Sequence, residues 1–510
     1  MNDKELNNKR VAKNTIILYL RTIVTLAISL FTSRAILNIL GVQDYGIYNV
    51  VGGFVSMFSI ISSTMISSTQ RYLNFEFGKI ENNKSTEVFN CSLVLHALLG
   101  LFLIIVFETF GLWFLNTRLN IPLDRMNAAN WVFQFSILTF VLNVLRAPFD
   151  ASIIAHERMK AFAYVNLFEA VLKLAIVYSL LLPVKIDNLI QYSVLMLLIA
   201  VIVFVIYSIY CIKNFEEIIF IFVKDRSLYR NIIGFASYNF VGASSIVFAQ
   251  QGVNILLNVF FGVAVNAARG ITDQVQAAIS KFVGDFTTAL NPQITKSYAQ
   301  QNIANMMNLI IKGTRIAFFL FLFFSLPILL YTEEILSIWL GIIPDYAVFF
   351  VKLALIDALI NTLAGPISTG ILATGIIKGL SLWLGCIRFS IFPLSYLFFK
   401  IGMPPYVSYI ILIVIDIVLI YVRLFFASKT IGVSTIPFLK DLFLRVIPVA
   451  LFAGIVGYLI MIFTRNHSAL ILLIGLCLVC VSTLFFVVFV GASKSERKMV
   501  LDYILKKKNE

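Results

Sequence analysis

Ionisable side chains inside apolar runs come first, because a charge at membrane depth is costly unless it is paired, hydrated or bound to a charged ligand. Arg21 lies in the run 15–38 and Arg388 in the run 376–400, while Arg34, Arg269 and Lys281 stand within or beside others. A guanidinium stays charged when buried and offers paired N–H donors to a phosphate or carboxylate. These five cations are therefore candidate contacts for an anionic headgroup of the pyrophosphate kind. Glu108 and Asp416 are carboxylates in the same position, with no evident local partner. They are candidate coupling sites for H+ or Na+; the bland alternative is a carboxylic acid held neutral by a nearby hydroxyl. Glu169 with Lys173, and Lys281 with Asp285, are spaced i, i+4 and can neutralise each other.

Other chemistry is missing from the sequence. There is no G-x-x-x-x-G-K-[ST] loop, so no nucleotide is expected to bind. No metal-ligand cluster and no nucleophile–base pairing is visible, and no cofactor is expected. The driving force is then an ion gradient or the membrane potential. The five cysteines lie in or beside apolar runs, and Cys477-x-x-Cys480 reads as small packing residues. His96, alone in an apolar helix, reads as packed, and His156 falls in a loop.

The elements that must position these residues are transmembrane helices. The chain is 60% hydrophobic and 13% charged, about half the charged share of a soluble domain. Apolar runs of about 20 residues, enough to cross a bilayer as a helix, recur throughout. Long unbroken runs exclude a transmembrane β-barrel. The expectation is an all-α polytopic membrane protein of about fourteen spans. Lys and Arg concentrate in alternate loops, which places both termini in the cytoplasm. The same rule accounts for the net charge of +14 without a nucleic-acid partner. The polar N-terminus reads as a retained tail and not as a signal peptide. Short loops leave no room for a soluble catalytic domain.

Polar stripes mark four spans. Arg21, Thr25, Ser29 and Thr32 share a face of the first, and Asn49, Ser56, Ser59, Ser63, Ser67 and Gln70 a face of the second. Gln250, Asn254 and Asn258 stripe the seventh, and Gln274, Lys281, Asp285 and Thr288 the eighth. Small hydroxyl residues also serve close helix packing, so the span-2 stripe alone is ambiguous. An internal repeat links the four. A shift of 221 sets Gly41 on Gly262 and Ser59 on Ser280; a shift of 218 sets Pro148 on Pro366 and Lys160 on Lys378. Spans 1–6 (1–228) and 7–12 (229–430) read as two copies of a six-helix lobe. Residues 431–510 form an appended helix pair with a basic tail. Repeats of this kind hold transport sites at their interface, so a hydrated central cavity is expected.

Several stretches also resemble a family. SRAILNILGVQDYGIYNVVGG (33–53), ISSTQRYLNFEFGK (66–79) and ASIIAHERMKAFAYVNLFEAVLKL (151–174) are similar to bacterial polysaccharide-biosynthesis flippases. So are ITDQVQAAISKFVGDFTTALNPQITKSYA (271–299) and EILSIWLGIIPDY (334–346). These are the Wzx-type branch of the multidrug/oligosaccharidyl-lipid/polysaccharide (MOP) exporter superfamily. The resemblance implies two six-helix lobes in a V, as in MATE transporters, and alternating access. It implies that an undecaprenyl-pyrophosphate-linked oligosaccharide crosses the bacterial cytoplasmic membrane for O-antigen, capsule or exopolysaccharide synthesis. Implied partners are that lipid, the bilayer and other polysaccharide-assembly proteins. In the similar lipid II flippases, arginines on the first helices of each lobe meet the pyrophosphate. Arg21, Arg34, Arg269 and Lys281 lie on suitable helices, but span 2 has no arginine in its core, which departs from the lipid II pattern. A multidrug cation exporter of the same superfamily is the alternative, and should carry an acid in span 1, where this chain has Arg21 and Arg34. A polysaccharide polymerase or glycosyltransferase would need larger outer loops. The chain is not expected to be an enzyme.

Overall fold

In a computed structural model, the described residues are 3–77, 84–156, 158–182, 186–374, 376, 378–432, 434–465, 469–493 and 497. Within their helices, the side chains of 3–23, 67, 71, 74–75, 159–160, 162–163, 235–243, 245–246, 285, 288–289, 292, 295–296, 299, 378 and 469 lie outside the description. Arg21, Ser67 and Asp285 are therefore outside the described side chains.

The described chain is helical and holds no strand. The first helices are α1 (Asp3–Ser56), α2 (Ser59–Phe77), α3 (Ser85–Val106), α4 (Leu112–Thr117), α5 (Met126–Ala155), α6 (Met159–Leu180) and α7 (Asn188–Asn214). Next come α8 (Arg226–Phe261), α9 (Val263–Ala299), α10 (Ile303–Leu330), α11 (Thr332–Leu340), α12 (Ala347–Thr362) and α13 (Gly365–Ala373). The last are α14 (Lys378–Phe389), α15 (Ile391–Lys400), α16 (Val407–Ile431), α17 (Ile436–Asp441), α18 (Ile447–Thr464) and α19 (Ala469–Phe486). Ten stretches among the described residues are long and apolar enough to span a membrane. The molecule is an all-helical, multi-pass membrane protein, as the apolar runs require.

Two of the breaks fall where the repeat pairs glycines. Gly41 interrupts α1 with φ 77° and ψ 170°, and Gly262 separates α8 from α9 with φ 84° and ψ −179°. Glycine adopts this region without the Cβ penalty that other residues meet, so the aligned pair shares a backbone conformation as well as a residue type.

The chain divides into two compact units, Met1–Gly270 and Ile271–Glu510. The first is built around α5. Val132, Phe133, Ile137 and Val144 are buried, and Phe133 meets Phe54 and Phe107 with ring centroids 6.1 Å apart in each case. The second is built around α10, whose Phe318, Leu322 and Leu326 are buried with Ile367, Leu424, Val449 and Val479. The C-terminal pair α18 and α19 belongs to this core. A Cβ on Gly457 would come within 2.8 Å of Leu330, and the Tyr331 hydroxyl lies 2.6 Å from Thr464 Oγ1. Outside both cores, Leu98, Leu101, Phe102, Leu451 and Ile455 point outward. That is the surface lipid tails solvate, since they are as apolar as leucine.

Candidate functional site

The first unit carries a clamp across three helix starts. Asp44 opens the second half of α1, Arg125 immediately precedes α5, and Asp187 caps α7 by accepting from the amides of Leu189 (3.0 Å) and Ile190 (3.4 Å). Arg125 donates from Nε and Nη2 to both oxygens of Asp44 (2.8 and 2.5 Å). It donates from Nη1 and Nη2 to both oxygens of Asp187 (2.6 and 3.0 Å). Two forked contacts from one planar group fix three helices in register. The Arg125 hydrogen bond holds the Asp187 carboxyl below the usual carboxylate range.

One turn deeper, Tyr48 and Tyr192 meet edge to face at 4.7 Å. Beside them lies a cavity of about 170 Å³ among α1, α5 and α7. Its polar lining is Tyr48, Ser56, Ser136, Thr139, Asn143 and Ser193; Gly52, Val55, Phe135, Phe140 and Met196 complete the wall, and no charged residue takes part. Ser136, Thr139 and Asn143 sit at i, i+3 and i+7 on α5, one face of a helix. That stripe is present in the sequence but interleaved with Phe135, Ile137 and Phe140, so it does not stand out as a polar face.

Elsewhere in this unit the expected cavity residues divide. Ser29, Arg34, Ser59, Ser63 and Gln250 are exposed, and Thr25 and Ser56 half-buried. Ser56 and Ser63 donate to the backbone carbonyls of Gly53 and Ile60, both at 2.9 Å. Asn254 and Asn258, expected to line a cavity, are instead packing locks. Asn258 is wholly buried; its amide oxygen accepts from the Asn120 amide (2.8 Å) and its nitrogen reaches Asn120 O (3.5 Å). Asn254 accepts from Asn266 Nδ2 at 2.8 Å. Buried amides need such partners, and close backbone approach demands them here. A Cβ on Gly46 would lie 1.9 Å from Val263 O, and one on Gly270 would lie 2.6 Å from Asn49. Arg269 is buried in the same packing. The other face of α2 is also structural: Ser68 donates to Ile232 O (2.9 Å), and Thr69, Ser92 and His96 form a buried chain at 2.7 and 3.2 Å.

The second unit holds a charge cluster at two helix breaks. Arg388, in the last turn of α14, donates from Nη2 to Asp416 Oδ1 (3.1 Å) and Asn361 Oδ1 (3.3 Å). Asn361 in turn donates to Asp416 Oδ2. α14 is interrupted at Ser390 and α12 gives way to α13 after Thr362, so Arg388 and Asn361 lie beside the ends of half-helices. Arg423, two turns beyond Asp416 on α16, is buried, with Nε and Nη1 lacking acceptors among the described residues. Arg388 and Asp416, read from sequence as lacking partners, are thus partners of each other across 28 residues of chain. Glu108 likewise accepts from Gln134 at 3.1 Å. Both corrections have one cause: the partners are not within a helical turn in sequence. The Glu169–Lys173 pair forms as its spacing predicts, at 2.7 Å. Gln274 is half-buried and Lys281 exposed; the Lys281–Asp285 pair lies outside the described residues.

No family model matches this chain, and no curated protein does. Solved structures do. A lipid II flippase, MurJ, in an inward closed conformation is similar at TM-score 0.67 and 12% identity, covering 92% of this chain and 98% of that one. An inward-facing multidrug-resistance MATE transporter of the MOP superfamily gives 0.63 at 14% identity, covering 81% and 98%. A MOP-superfamily transporter from Pyrococcus furiosus, described as having a binding pocket of reversed polarity, gives 0.53 at 14% identity, covering 81% and 95%. The chain has the fold of MOP-superfamily transporters, and these neighbours are transporters and flippases, not enzymes.

Proposed function

We propose that this protein is a Wzx-type flippase. Its cargo is an undecaprenyl-pyrophosphate-linked oligosaccharide, carried across the bacterial cytoplasmic membrane by alternating access for surface-polysaccharide synthesis. Both termini are cytoplasmic in this reading, and other polysaccharide-assembly proteins supply and receive the cargo. The observation that carries it is an asymmetry of pairing. The candidate coupling carboxylates, Asp416 and Glu108, are engaged by Arg388 with Asn361 and by Gln134. Exposed Arg34, in an apolar stretch of α1, has no ion-pair partner among the described residues. An unpaired cation there favours water or an anion over lipid, and repels a cationic drug. A multidrug cation exporter would need the opposite pattern. A charged, sugar-bearing headgroup needs a polar route through about 30 Å of hydrocarbon, while a polyprenyl tail can stay in lipid.

The experiment is complementation of a flippase-deficient bacterial host. Wild type should restore surface polysaccharide, and Arg34→Gln with Lys281→Gln should reduce it at unchanged protein level. Undiminished polysaccharide in that double variant, or drug-cation efflux without polysaccharide, refutes the assignment.

A further inference from the structure

The cavity among α1, α5 and α7 is not accounted for by packing. Ser136, Thr139 and Asn143 face it from one side of α5, and none has a hydrogen-bond partner among the described residues. Ser193 sends its proton to Ile190 O (2.8 Å) and Ser56 sends its own to Gly53 O (2.9 Å), leaving oxygen lone pairs as acceptors. The lining therefore combines groups that both donate and accept (two hydroxyls and one primary amide on α5) with two that chiefly accept. Polar side chains at membrane depth without internal partners call for water or a polar ligand.

The lining selects among ligands. A cation would find no carboxylate and an anion no Lys, Arg or His. An acyl chain would strip water from the five hydroxyl and amide groups of Ser56, Ser136, Thr139, Asn143 and Ser193 and return no hydrogen bond. A neutral polyol can exchange hydrogen bonds with all five, and the Phe135 and Phe140 rings offer apolar wall to its C–H face. At about 170 Å³ the space is many times what one water occupies, and has room for a single ring. The Arg125 clamp ties the ends of the same three helices on the extracytoplasmic side, in the orientation proposed above.

We propose that this cavity binds one neutral sugar ring of the translocated headgroup, with Thr139 and Asn143 as its specificity-determining contacts. This rests on the lipid-linked-saccharide reading and adds to it a place for the sugar within the first unit.

The test uses the purified full chain in nanodiscs and four probes: farnesyl pyrophosphate, and farnesyl pyrophosphate bearing glucose, galactose or N-acetylglucosamine. Wild type should bind at least one glycosylated probe about tenfold more tightly than the bare one, the gain expected from one or two net hydrogen bonds. Thr139→Val with Asn143→Leu should abolish that difference and leave bare-probe affinity unchanged. Ser136→Ala, a milder change, should reduce it if the double variant does not fold. Equal wild-type affinity for all four probes overturns the proposal, as does a preference that survives in the variants, for then the cavity holds only water. Failure to bind any probe overturns the cargo reading itself, and with it this one.

Discussion

Replacing Arg388 with methionine tests whether the second unit's charge cluster is structural. The substitution keeps much of the apolar stem but removes the donor that reaches Asp416 at 3.1 Å. The Asp416 side chain is only 4% exposed, so its carboxylate would keep Asn361 as a donor and the nearby charge of Arg423 but lose its hydrogen-bonded cation. Breaking a buried pair from one side costs about 3–5 kcal/mol, whereas replacing both partners with apolar groups of similar volume is often neutral or stabilising. Arg388→Met should therefore lower the unfolding midpoint of the solubilised protein by on the order of 10 °C, and reduce its level in membranes. Arg388→Met with Asp416→Leu should recover most of that loss. The readouts are thermal unfolding, membrane level and surface polysaccharide for both variants. If the single variant unfolds with wild type, or the double is as weak as the single, the reasoning from burial and pairing fails. If the double is stable yet polysaccharide stays low, Arg388 meets the cargo after all.

The Arg125 clamp and the close packing at Gly46 give two further outcomes. Asp187 has a depressed folded-state pKa because Arg125 donates to it, so its contribution is present above the unfolded value of about 3.9 and lost as pH falls below it. Unfolding midpoints from pH 6 down to pH 3 should fall more steeply in wild type than in Arg125→Ala, and parallel curves would refute the clamp. Gly46→Ala should strongly destabilise, because its Cβ would sit 1.9 Å from a backbone oxygen, Val263 O. Gly454→Ala on α18 meets nothing within 4 Å and should be neutral or gain up to about 1 kcal/mol in helix propensity. Equal thermal midpoints for the two variants would contradict the packing described here.

The class of molecule was legible in the amino-acid sequence. Apolar runs of spanning length admit only helices, because a backbone in lipid must satisfy its own hydrogen bonds. Periodicity also captured what lies within a helical turn, the Glu169–Lys173 pair, and the internal repeat aligned Gly41 with Gly262, whose shared positive φ the structure displays. Tertiary structure decided which polar residues are engaged. Arg388 and Asp416 lie on different helices, and no local pattern announces that they meet. Asn254 and Asn258 lie on a stripe that reads as a wet face, yet Asn266 and Asn120 occupy both. Ser136, Thr139 and Asn143 form a shorter stripe, and only the approach of Tyr48 and Ser193 from two other helices turns it into a cavity. A helical period gives the direction of a side chain on its own helix. What stands opposite depends on packing between helices far apart in sequence, which that period does not contain.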